Sequence, residues 1–114
     1  MVKNFQAVFV NCDAAMTVTL RGELDLVTAA TADEVVAQIL RDPHPDVILD
    51  LTDLTFLSAA GVVPLVQLVA RLKEAGRQLT VRGATRLVGL VLSLTPIQMA
   101  PDPSADPPLV PADR

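Results

Sequence analysis

The side chains able to do chemistry are few. Ser58 precedes Ala59-Ala60-Gly61 at the head of an apolar run, with Thr55 three residues earlier. A hydroxyl at a helix start can cap backbone N–H groups, or it can carry a phosphate that the helix dipole stabilises. Asp50 and Asp53 flank Leu51. Two carboxylates do acid–base work only beside groups that tune them, and no His or Lys lies near them in sequence. They read as surface and loop residues. Asp25 closes Gly22-Glu23-Leu24-Asp25 and reads as a turn former or as part of a partner surface. The single histidine, His44, sits between two prolines in a connection that reads as neither ligand nor base. The single cysteine, Cys12, leaves no internal disulfide and no cysteine-rich zinc site. Arg82-Gly83-Ala84-Thr85 is too short to be a phosphate loop. No catalytic residue, metal site or cofactor is assigned.

What remains is a chain built to fold and to touch. Its 114 residues correspond to one domain, 51% of them hydrophobic. A net charge of −4 argues against nucleic acid and anionic lipid as main partners, since both call for a basic face. No apolar run approaches the length of a membrane span, and Met1 to Gln6 carries no signal-peptide pattern. The expected compartment is the cytoplasm. Arg71, Lys73, Arg77, Arg82 and Arg86 read as a solvated basic face, with an acidic partner patch as the functional alternative. Six of the nine prolines fall from Pro96 onward. Residues 1–99 are therefore the expected domain, and residues 100–114 a proline-rich extended or disordered tail.

The elements that would position these residues are legible as periodicities. Ala7–Val10 and the alternating Met16–Leu20 predict a hairpin, with Arg21–Asp25 breaking the second strand. Ala32, Val35, Val36, Ile39 and Leu40 recur as one helix face, with Thr28 or Thr31 as cap and Asp33 and Glu34 at the positive end. Val47–Leu51 reads as a strand buried on both faces. A second helix lies within Ala59–Ala75, its face Val62, Leu65, Val66, Val69 and Leu72, ending at Gly76. Pro64 implies an irregular start or a beginning near Gly61. Gln78–Arg82 is a strand, Thr85–Leu94 a short helix, and Ile97-Gln98-Met99 a last edge strand. The order β-β-α-β-α-β-α-(β) is α/β with parallel crossovers.

Gly22-Glu23-Leu24-Asp25 before an amphipathic helix, the strand and loop Val47–Leu57, and Ser58-Ala59-Ala60-Gly61 together resemble the STAS domain of bacterial anti-sigma-factor antagonists. The resemblance covers roughly residues 7–99. It implies a mixed four- to five-stranded sheet with helices packed against it. It also implies a protein that binds a kinase-type anti-sigma factor and frees a sigma factor. In that family an Asp-Ser-x-Gly motif carries the phosphoacceptor serine. Here Ser58 matches the Asp, Ala59 the serine and Gly61 the glycine, so a methyl group stands where the phosphate would go. Ser58 is read mainly as a cap, with Ser58 or Thr55 as a displaced acceptor the sharper alternative. The implied partner surface is Asp25, Thr55, Phe56, Ser58, Ala59, Ala60 and Gly61. The implied state is a monomer or weak homodimer without membrane insertion. A degenerate scaffold, or a subunit of a signalling or transport assembly, is the competing implication.

Overall fold

The computed structural model describes residues 5–12 and 15–97. Strands β1 (Phe5–Cys12) and β2 (Ala15–Leu24) form the expected antiparallel hairpin. Helix α1 (Ala29–Arg41) follows, then β3 (Asp46–Asp50), β4 (Leu54–Leu57), α2 (Ala59–Glu74), β5 (Gln78–Arg82) and α3 (Arg86–Leu92). The sheet is five-stranded and mixed. Its order is β1-β2-β3-β5, with β4 also on β2, and β3, β4 and β5 run parallel to their neighbours.

Register explains the core. Phe9, Val18, Leu49 and Val81 lie opposite one another across four strands, and Ala7 faces Leu20. Residues two apart on a strand share a face, so Met16, Val18 and Leu20 of β2 all point the same way and are all buried. Ala32, Val36 and Ile39 of α1 and Leu65, Leu68 and Leu72 of α2 join them in one cluster. With three Phe and no Trp or Tyr in the chain, this core is aliphatic.

Several expectations are corrected. The segment Arg21–Leu24 does not break β2 but continues it. Gly22 takes a left-handed φ of 98°, and a bulge between Gly22 and Glu23 lets the strand bend without stopping. β3 is buried on one face only: Val47 and Leu49 are covered, while Ile48 is half-buried. β4 is an element that the sequence pattern left as a loop, so the order is β-β-α-β-β-α-β-α. No acidic residue stands in the first turn of α1, since that helix starts at Ala29, ahead of Asp33 and Glu34. α2 runs from Ala59 despite Pro64, which costs it the bond to the Ala60 carbonyl but leaves the helix continuous. Ile97 is buried but not in a strand; Gln98 and Met99 lie outside the described residues. Arg77 is not solvated. Its guanidinium donates to the Ile39 and His44 carbonyls and lies 3.9 Å from Asp42, tying the end of α1 to the start of β5.

Candidate partner-binding site

The C-terminal ends of β2 and β4 open into two segments, the Asp25–Thr28 turn and the start of α2. One backbone bond joins them: the Ser58 N–H donates to the Leu24 carbonyl at 3.0 Å. Leu24 also pairs with Leu57. Gly61 packs against the same residue. A Cβ there would stand 2.4 Å from the Leu24 carbonyl oxygen, so only glycine lets α2 come this close to β2.

Ser58 is the N-cap of α2. Its extended backbone (φ −99°, ψ 172°) lets Oγ accept from the Gly61 N–H at 3.2 Å. That satisfies one of the unpaired donors of the first turn. Ala59 is the first helical residue and its methyl is exposed; Ala60 is half-buried. Ala59 and Val63 lie one turn apart on the same helix face.

Thr55 is the extra residue of the bulge. Leu54 pairs with Gly22 and Phe56 with Glu23, so Thr55 has no opposite number. Its hydroxyl donates to the Gly22 carbonyl at 3.0 Å. The bulge also leaves both Thr55 and Phe56 exposed, where strict alternation would bury one of them.

Asp25 is buried and holds its own turn. Its Oδ1 accepts from the Val27 N–H at 2.9 Å and the Thr28 N–H at 3.2 Å. Thr28 Oγ1 accepts from the Asp25 N–H and donates to the Glu23 carbonyl. Thr28 is the N-cap residue of α1 but makes no side-chain cap to that helix, because its hydroxyl is spent on the turn. The turn thrusts Leu26 and Val27 outward, 78% and 71% exposed. Phe56 at 40% and Val63 at 52% are exposed as well, on β4 and on the first turns of α2.

The seven residues expected from the sequence lie at this end of the sheet, Asp25 and Gly61 buried, Ser58 and Ala60 half-buried, and Thr55, Phe56 and Ala59 exposed. Leu26, Val27 and Val63 went unassigned. Two large apolar residues inside a turn, between Asp25 and Thr28, were the signal for the first two.

The other candidates lie elsewhere and are separately engaged. Asp50 Oδ1 accepts from the Thr52 amide and hydroxyl, and Arg82 lies 3.5 Å from its other oxygen. Partial burial pushes its carboxyl up, but the Thr52 hydrogen bonds and Arg82 outweigh it and hold it below the usual carboxylate range. Asp53 lies 3.6 Å from Arg21. Asp42 is held low chiefly by the His44 backbone N–H, and it also bonds the His44 ring at 2.5 Å. Among the described residues, no three His, Cys, Asp or Glu side chains gather into a metal site, and no helix is long and apolar enough to cross a membrane.

Comparison with known proteins gives this geometry a setting. A family model described as "Mlab, STAS domain" matches residues 9–97. An anti-sigma factor antagonist from Mycobacterium paratuberculosis superposes with a TM-score of 0.73 at 21% identity, covering 80% of this chain and 77% of that one. A STAS-domain antisigma-factor antagonist from Rhodobacter sphaeroides gives 0.60 at 16%, covering 74% and 95%. The Bacillus cell fate determinant SpoIIAA in its phosphorylated form gives 0.62 at 15%, covering 80% and 82%. No curated protein sequence matches.

Proposed function

The chain belongs to the STAS domain family, and from that premise we propose that it is an anti-sigma-factor antagonist lacking the serine phosphorylation switch. It binds a kinase-type anti-sigma factor through the start of α2, the Phe56 edge of β4 and the Asp25 turn. A sigma factor held by the same partner is thereby released. The likeness of fold to anti-sigma factor antagonists supports this reading. The observation that carries it is the exposed Ala59 methyl at the first position of α2, beside a Ser58 hydroxyl engaged as the cap.

The chemistry follows from that position. A phosphate at a helix start is stabilised by free N–H groups and the dipole, and it places about −1.5 to −2 charge on the surface. Such charge would oppose an apolar contact. A methyl group cannot accept a phosphoryl group, so the face stays apolar and competent to bind. Thr55 does not readily replace it, since its hydroxyl bridges the bulge to Gly22. Binding is then set by the abundance of this chain, not by its phosphorylation.

The test is a calorimetric titration of the full chain against purified kinase-type anti-sigma factors, with and without prior incubation with ATP. The expected result is a complex that displaces sigma factor and is unchanged by ATP. Failure of every such partner to bind overturns the reading. The absence of a hydroxyl at position 59 is compatible with one further reading, a scaffold or subunit of a signalling or transport assembly. Light scattering on the natively purified protein separates the two: a stable larger assembly supports the subunit, a small free protein the antagonist.

A further inference from the structure

The two outer strands of the sheet are not alike. β5 is five residues long and ends in Arg82, whose side chain is half exposed. β1 is eight residues long and pairs with β2 in unbroken register from Phe5 to Cys12. Among the described residues, no strand lies on its other edge. Proteins usually guard such an edge with a charge, a proline, a bulge or a very short strand. β1, Phe5-Gln6-Ala7-Val8-Phe9-Val10-Asn11-Cys12, has none of these. Phe5, Ala7 and Phe9 pack toward the core, while Val8 and Val10 stand outward, 43% and 54% exposed. On β2 they lie beside Thr19 and Thr17, so this stretch of the outer face is β-branched and uncharged.

We propose that a second copy of this chain pairs with the free edge of β1, antiparallel and about a two-fold axis, joining the two five-stranded sheets into one. The inference rests on neither reading of function. Two observations point to a copy of itself. The strand matches its own reverse: with the axis through Val8, Gln6 lies opposite Val10 of the second copy, Ala7 opposite Phe9, and Val8 opposite Val8. Each face then meets its like, valines outward and Phe inward. Charge selects the same place. Each copy carries −4, so two copies approach at least cost where neither presents a charge. The nearest flanking charge is Arg21, opposite Gln6 on β2. Antiparallel pairing sets the two Arg21 side chains at opposite ends of the contact. Size then sets the strength. Residues 5–11 give an edge about 23 Å long and about 10 Å deep, roughly 230 Å². A stable interface takes about 800 Å² from each partner, so this dimer is weak and forms at high concentration.

The test is sedimentation of the full chain, kept reduced, from micromolar to millimolar concentration, with isotope-filtered NMR on mixed labelled and unlabelled copies. The expected result is a mass that rises from monomer toward dimer, with contacts between the β1 backbones of the two copies. Val10→Lys places a charge twice in the symmetric contact and should raise the dimer Kd by about tenfold or more. Its amide spectrum at low concentration checks that the fold is kept, as the exposure of Val10 leads one to expect. Leu90→Lys, on the exposed Leu87, Leu90 and Leu94 stripe of α3, is the control and should leave the mass curve in place. A monomer throughout the range overturns the proposal. So does a dimer that Val10→Lys leaves intact, or one whose contacts map to the α3 leucines.

Discussion

Replacing Gly61 by Ala isolates the contact that brings α2 to the end of β2. In an open helix this change would stabilise by about 1 kcal/mol, because Ala restricts the unfolded chain and favours the helix. Here the added Cβ meets the Leu24 carbonyl oxygen at 2.4 Å, the carbonyl carbon at 2.7 Å and Cγ at 2.9 Å. Two of these atoms are backbone and cannot swing aside. Overpacking of this kind costs about 1–3 kcal/mol. Pushing α2 away also stretches the 3.0 Å bond from Ser58 to Leu24, whose net worth is about 0.5–1.5 kcal/mol. Offset by helix propensity, the net loss is about 0.5–3.5 kcal/mol. For a domain of this size that lowers Tm by roughly 4–8 °C per kcal/mol. The internal control is Gly89→Ala in α3, where an added Cβ has nothing within 4 Å. That variant should gain about 0.5–1 kcal/mol. Urea unfolding followed by circular dichroism reads both. Equal or greater stability of Gly61→Ala would refute the packing argument, and with it the claim that β2 sets the position of the α2 start.

Three further outcomes follow from the same geometry. Ser58→Ala should cost about 1 kcal/mol by loss of the cap, and Ser58→Asp should restore most of it, both read as urea midpoints. The Asp50 carboxyl is held below its usual value of 3.8, so its contribution is complete well above that value and is lost as pH falls below it and through the lowered folded-state value. Acid titration of the midpoint should show a fall that Asp50→Asn partly flattens, and an unchanged profile in the variant would contradict the assignment. Leu26→Ser with Val27→Ser should leave stability within about 0.5 kcal/mol, since both are exposed. The same pair should weaken partner binding by about 1–2 kcal/mol, roughly tenfold, measured by titration.

Most of the fold could be read from the sequence because burial imposes period. α1 and α2 repeat at helical spacing, and Met16–Leu20 alternates because one face of β2 is covered. β4 could not be read this way. Its four residues bury the two ends and expose the middle, since the bulge at Thr55 breaks the alternation. β2 looked finished at Gly22 for the same reason: a glycine that ends many strands here bends one. Arg77 looked like one more surface charge, and only the fold brings the Ile39 and His44 carbonyls to it across more than thirty residues of chain. At the site, Ser58 and Gly61 were legible as cap and close-packing positions. Leu26 and Val27 were not, because their exposure follows from hydrogen bonds that Asp25 and Thr28 make to the turn beneath them.

The most direct test of the account compares this chain with its Ala59→Ser variant, each incubated with a kinase-type anti-sigma factor and ATP. Intact mass and peptide mapping give the readout, and binding is measured before and after. The account predicts no phosphoryl adduct on the natural chain and binding that persists. It predicts an adduct at position 59 of the variant, with binding lost. A phosphate mapped to Ser58 or Thr55 of the natural chain, with binding lost on its addition, would contradict it.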